Sequence, residues 1–163
     1  MHNATFEEIV ERIRQQDTRY ARDAYLFVRE ALDFTQKRLA RVAEAAPVRP
    51  AVDEAVPPVR HVTGRELLDG IRDYALQQFG PMVPTVFEEW GVHRCEDFGE
   101  IVFNMVEAGL LAKTEQDSRD DFKGGYDFHA AFREPFLPAS RRAARSAHVD
   151  GNGPCSAGRL EME

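Results

Sequence analysis

No stretch of this chain approaches the ~18 consecutive apolar residues of a membrane span. The N-terminus, Met-His-Asn-Ala-Thr-Phe-Glu-Glu, has no charged segment leading into an apolar run. Both absences predict a soluble, unexported, cytoplasmic protein. Cysteine is scarce: Cys95 and Cys155 are too few for a disulfide framework and read as reduced thiols. The spacings of a structural metal site are missing as well. His93, Cys95 and Asp97, or His129 with the nearby aspartates, lack the paired CxxC or HxxxH pattern that zinc requires. Asp117-Ser118-Arg119-Asp120-Asp121 has neither the Asp-x-Asp-x-Asp-Gly core nor the distal glutamate of a calcium loop. Gly124-Gly125 is followed by no Lys-Ser/Thr and opens no helix, so it is not a phosphate cradle. Ser118 has no sequence cue for a base, and Cys95 has no identifiable partner. The expectation is therefore no metal, no cofactor, no catalytic residue and no enzyme.

What the chain does have is enough apolar matter for a core. Its 163 residues are 43% hydrophobic and 10% aromatic. A chain near this size buries roughly 70% of its unfolded surface, so neither metal nor disulfide is needed for stability. The net charge of −7 is unevenly spread. Residues 1–60 balance ten acidic with ten basic side chains, whereas residues 61–136 hold fifteen acidic against seven basic. The acidity belongs to the second half, which bears on partners.

The pattern divides the chain into an N-terminal helical unit over 1–45, a Pro-rich linker over 46–60, a folded unit over 61–136 and a disordered tail over 137–163. In the first unit, Thr5 and Glu8 form a capping box ahead of Phe6, Ile9, Val10 and Ile13 at helical spacing. A break at Gln16-Asp17-Thr18 precedes a long amphipathic helix from Tyr20 to about Val42. Its apolar face carries Tyr20, Ala24, Phe27, Val28, Ala31, Phe34, Thr35, Leu39 and Val42. Pro47, Pro50, Pro57 and Pro58 interrupt any element across the linker.

The second unit restarts at Thr63, with Glu66 three residues on, and presents Leu67, Leu68, Ile71, Ala75 and Phe79 on one face up to Gly80-Pro81. A short helix follows over Thr85 to Trp90. A third runs from Asp97 to Ala108, buries Phe98, Ile101, Val102, Met105 and Val106, and stops at Gly109. Leu110 to Glu115 and Tyr126 to Ala130 then read as a strand pair turned by Gly124-Gly125. That order closes a winged-helix domain. The predicted fold class is α+β, mainly α: an N-terminal helical pair plus a winged-helix-like domain with a two-stranded wing.

The third helix does not suit a DNA groove. Opposite Phe98 it carries Glu96, Glu100, Phe103 and Glu107, with Asn104 at the margin. Three carboxylates would face a polyanion bearing about one charge per 1.7 Å of axis. Two readings of this face compete: Phe103 packs away under the N-terminal helices, or Phe103 is an exposed anchor ringed by Glu96, Glu100, Asn104 and Glu107 for a basic partner.

Several strings are distinctive: Gln16-Asp17-Thr18-Arg19-Tyr20, Ala24-Tyr25-Leu26-Phe27-Val28, His61-Val62-Thr63-Gly64, Asp97 through Val106, and Lys-Gly-Gly-Tyr-Asp-Phe at 123–128. On these the chain resembles an uncharacterised family of small conserved hypothetical proteins of planctomycetes and verrucomicrobia. The resemblance covers about residues 5–138 apart from the proline linker. It brings no catalytic residues and implies only that the two units belong together.

The leading functional expectation is a non-catalytic interaction module that offers an acidic winged-helix-like surface to a basic protein or ribonucleoprotein. The first alternative is a winged-helix transcription regulator; the second is an enzyme with a pocket between helical unit and wing. The long helix has two possible uses: covering the second unit, or pairing with another copy in a homodimer.

Overall fold

The computed structural model describes residues 4–45 and 61–139, so the linker and nearly all of the tail lie outside the described residues. Six α-helices carry the fold: α1 (Phe6–Gln16), α2 (Arg22–Ala45), α3 (Gly64–Phe79), α4 (Val83–Glu89), α5 (Cys95–Glu107) and α6 (Phe128–Phe132). Single 3₁₀ turns occupy Gly80–Met82, Arg119–Phe122 and Glu134–Phe136. Both predicted capping boxes form. Thr5 Oγ1 accepts from Glu8 N at 3.3 Å while Thr5 N donates to Glu8 Oε2 at 2.9 Å. Thr63 and Glu66 repeat this at 3.3 and 3.0 Å. Each box satisfies two donors that a helix start leaves open.

The wing does not exist. Among the described residues there is no strand, and the expected α+β class gives way to an all-helical one. Three local causes account for this. First, α5 ends in a Schellman closure, with Gly109 at φ 77°, Leu110 N donating to Met105 O at 2.9 Å and Gly109 N to Val106 O at 3.0 Å. Leu110 is thereby turned back onto the helix instead of leading out in a strand. Second, the backbone donors of the next residues are taken locally. Thr114 N donates to Asp117 Oδ2 at 2.7 Å and Ser118 N to Asp121 Oδ2 at 2.9 Å. Side chains that bind the backbone this way compete directly with a ladder. Third, the supposed returning strand contains a helix start: Asp127 Oδ2 accepts from Ala130 N at 2.9 Å and opens α6.

The two units expected from the sequence share one hydrophobic core. Tyr25, Phe27 and Val28 of α2 are buried together with Leu68, Ile71, Phe87, Phe98 and Phe132. Of the two uses expected for α2, covering the second unit is the one observed within this chain. At its crossing with α3 the two helices approach closely. A Cβ on Gly70 would lie 1.7 Å from Thr35 Oγ1, so only glycine lets the helices meet there. The Thr35 hydroxyl is satisfied by donating to Ala31 O at 2.7 Å. Around Phe87 the core is aromatic: Phe27, Trp90, Phe98, Phe128 and Phe132 surround it at centroid distances of 5.3–5.9 Å, mostly tilted or edge-on.

Candidate functional site

The five residues expected to meet a partner lie on α5, but most are already engaged. Arg119, from the loop after α5, reaches Glu107 Oε1 at 3.2 Å and Glu100 Oε1 at 3.5 Å. Glu100 Oε2 also pairs with Arg19 at 3.4 Å. Glu96 Oε1 accepts from Gly124 N at 3.4 Å. Asn104 faces the N-terminal helices, its Nδ2 donating to Asp17 Oδ2 at 3.0 Å and to the Tyr25 hydroxyl at 3.2 Å. Phe103 is only 8% exposed. The Arg119 guanidinium stands 4.9 Å and the Lys113 ammonium 5.6 Å from its ring centroid. An exposed Phe103 anchor is therefore not what this face offers; the ring is roofed by two cations. The loop that was expected to be a wing instead folds over the helix and offsets its carboxylates.

On the side toward α1 and α2, α5 meets a polar dock. Asp17 Oδ1 accepts from Arg19 N and Nε at 3.1 and 2.9 Å, and Oδ2 accepts from Arg19 Nη2 at 2.7 Å and from Asn104. The Arg19 guanidinium, above all, holds the Asp17 carboxyl well below the usual carboxylate range. Tyr20 donates its hydroxyl to Asp97 Oδ1 at 2.9 Å, and burial, followed by this carboxylate, pushes its pKa up. Asp97 Oδ2 in turn accepts from His93 N and Arg94 N at 2.8 and 3.1 Å, fixing the start of α5. Gly91, at φ 79°, leaves room for Arg19 O, which would lie 2.2 Å from a Cβ there. The strings Gln16–Tyr20 and Asp97–Asn104 thus come together in space. Every polar group named here has a partner, and the dock joins α5 to the N-terminal helices beside a mostly polar space of about 350 Å³.

The opposite flank of α5 is incomplete. Between α2, the start of α3, α5 and the 110–122 loop lies an open cavity of about 330 Å³. That is at the small end of the range for binding pockets, about 300–1,000 Å³. Leu32, Leu67, Val102, Phe103, Val106 and Phe122 form its apolar wall. Phe122 is the nail that holds the loop: it is 3% exposed, and its ring packs where Gly64 and Gly99 lack a Cβ. The polar rim consists of Gln36, His61, Lys113, Asp117, Ser118 and Asp121. His61 Nε2 lies 2.7 Å from Asp117 Oδ2, the oxygen that also accepts from Thr114 N and Thr114 Oγ1. Burial works to raise the Asp117 pKa, but the Thr114 amide and the His61 ring outweigh it and hold the carboxyl below its ordinary value.

Other residues weighed from the sequence are dispersed. Cys95 is buried, accepts from Tyr126 N at 3.4 Å, and burial pushes its thiol pKa up, away from reactivity. Among the described residues no three His, Cys, Asp or Glu side chains gather as a metal site would need, and no helix is long and apolar enough to cross a membrane. Comparison with protein-family models, curated proteins and solved structures finds no match. Sequence reading missed the cavity and its rim of His61, Lys113, Asp117 and Asp121. One signal for it was present: Thr114-x-x-Asp117 and Ser118-x-x-Asp121 repeat the spacing of a capping box, which marks capped turns rather than a strand.

Proposed function

We propose that this protein is a non-catalytic interaction module and that its binding element is the cavity under the 110–122 loop, which receives an apolar group of a protein partner. One observation carries the reading. A preformed, apolar-walled and solvent-open space of about 330 Å³ is assembled from three separate parts of the chain. A second space of about 350 Å³ lies on the α1 side of α5, but its lining of Arg12, Gln16, Asp17, Asn104 and Glu107 is mostly polar and offers an apolar group little wall. An apolar concavity with a few polar groups at its mouth is the usual anatomy of a binding pocket, and a buried anchor in such a pocket carries most of an interface's energy. The acidic outer face of α5 contributes less than its sequence suggests, because Arg19 and Arg119 offset Glu100 and Glu107. A cytoplasmic location goes with this reading.

Affinity capture from native lysate tests it, run with nuclease and with a cavity-filled variant, Val106→Trp. A protein partner that survives nuclease and is lost from the filled variant supports the module. A partner retained equally by both forms contradicts the cavity as its seat. The DNA-regulator alternative loses its frame with the wing. The enzyme alternative has one observation in its favour, the His61–Asp117 pair beside Ser118. His61 Nε2, however, is directed at Asp117, and no hydrogen bond joins His61 to Ser118 among the described residues.

A further inference from the structure

We propose that the occupant of the cavity is a Leu- to Phe-sized apolar side chain flanked by Lys or Arg, in a basic segment of the partner; this rests on the cavity being the binding element. The rim chooses the flanking charge. It holds one ammonium, Lys113, against two carboxylates, Asp117 and Asp121. Lys113 leans over the Phe103 ring and completes the apolar wall. The two carboxylates are only half used. Asp117 Oδ2 takes all three donors, from His61 and Thr114, and Oδ1 takes none among the described residues. Asp121 Oδ2 accepts from Ser118 N at 2.9 Å, and its Oδ1 likewise receives no donor from the described residues.

Both of these oxygens remain open to solvent, so an incoming ammonium or guanidinium can reach them and form a charge-assisted bond. The loop's remaining cations are committed elsewhere. Arg119 pairs with Glu100 and Glu107, and Lys123 with Asp120 at 2.5 Å. The surrounding 61–136 segment carries fifteen acidic against seven basic side chains, so its field draws a basic segment toward the mouth. Filling the wall then removes apolar surface from water on both partners.

Isothermal titration of the full chain with capped heptapeptides tests this. Each peptide has a central Phe flanked on both sides by Arg, Ser or Glu, and a fourth has central Ala flanked by Arg. The Arg-flanked Phe peptide is expected to bind on the order of tenfold tighter than the Ser-flanked one, with the Glu-flanked peptide weakest. Asp121→Asn, which keeps an acceptor for Ser118 N, should shrink that preference, and Lys113→Gln should preserve or widen it. Equal affinities for the three Phe peptides, all abolished by Val106→Trp, would overturn the charge selection and leave the cavity reading standing. A preference for the Glu-flanked peptide would likewise overturn it, with Lys113 as the selecting group. Equal binding of the Arg-flanked Ala and Phe peptides would reduce the effect to surface attraction and overturn it too. Binding of none of the four would remove this inference and the cavity reading together.

Discussion

The two sides of α5 are built to different standards. On one, Phe98, Ile101 and Met105 are wholly buried, and Phe98 joins the aromatic cluster centred on Phe87. On the other, Val102, Phe103 and Val106 face a loop that is held by capped turns and a single inserted ring, and a cavity remains. Helices supply an apolar stripe and can close on one another. A loop whose backbone is tied up by Asp, Ser and Thr has few apolar side chains to offer, so it roofs the helix without filling the space beneath. The incomplete side is where a partner can add what the fold left out.

The comparison breaks most visibly in the core. Phe87→Ala should destabilise by about 3–5 kcal/mol, the cost of deleting a fully buried aromatic, read as a lowered denaturant midpoint. Phe122→Ala removes a ring buried nearly as well, which pins the loop against α3 and α5 at Gly64 and Gly99. Its global cost should fall at the lower end of that range, about 3 kcal/mol, and limited proteolysis should cut within 110–122 first. A cooperative loss matching Phe87→Ala would show that the two sides are one unit after all.

The dock sharpens the contrast through pH. Asp17 has a folded pKa below its unfolded value, so it stabilises the fold above about pH 4, and that contribution is lost as pH falls from there toward the folded pKa. Asp17→Ala should cost about 1–3 kcal/mol at neutral pH, since it strips partners from Arg19 and Asn104. The gap between wild type and Asp17→Asn in urea midpoint should narrow on acidification; a gap independent of pH would contradict the dock's electrostatics. The smallest effect is expected at the cavity, where Val106→Ala should cost no more than about 1 kcal/mol because the side chain is only half-buried.

Much of the helical frame was legible in the sequence. Thr5/Glu8 and Thr63/Glu66 announced two helix starts, Gly109 one stop, and the stripe from Ala24 to Thr35 the buried face of α2. The wing was misread because Leu110 and Leu111 are apolar beyond a helix stop and Tyr126 and Phe128 are strand-like residue types, while the fate of all four depended on packing. Tyr126 donates its hydroxyl to Leu68 O at 3.0 Å, and Phe128 joins the aromatic core through Phe87, both contacts with distant residues. Gly125 was assigned to a turn, yet it serves close approach as well: a Cβ there would lie 2.8 Å from Leu68 Cδ1. The candidate site was the least legible part. The five residues chosen on α5 were identified from helical phase alone, which cannot tell that Arg119, twelve residues beyond Glu107, returns to pair with it.

The most direct test is a methyl NMR titration of the full chain with the Arg-flanked Phe peptide. The account predicts shifts at Leu67, Val102, Val106, Leu110 and Leu111, which line the cavity, with Val28, Ile71 and Val83 of the closed core unmoved. Shifts centred on the exposed Leu26 side of α2, or spread evenly through the core, would contradict it.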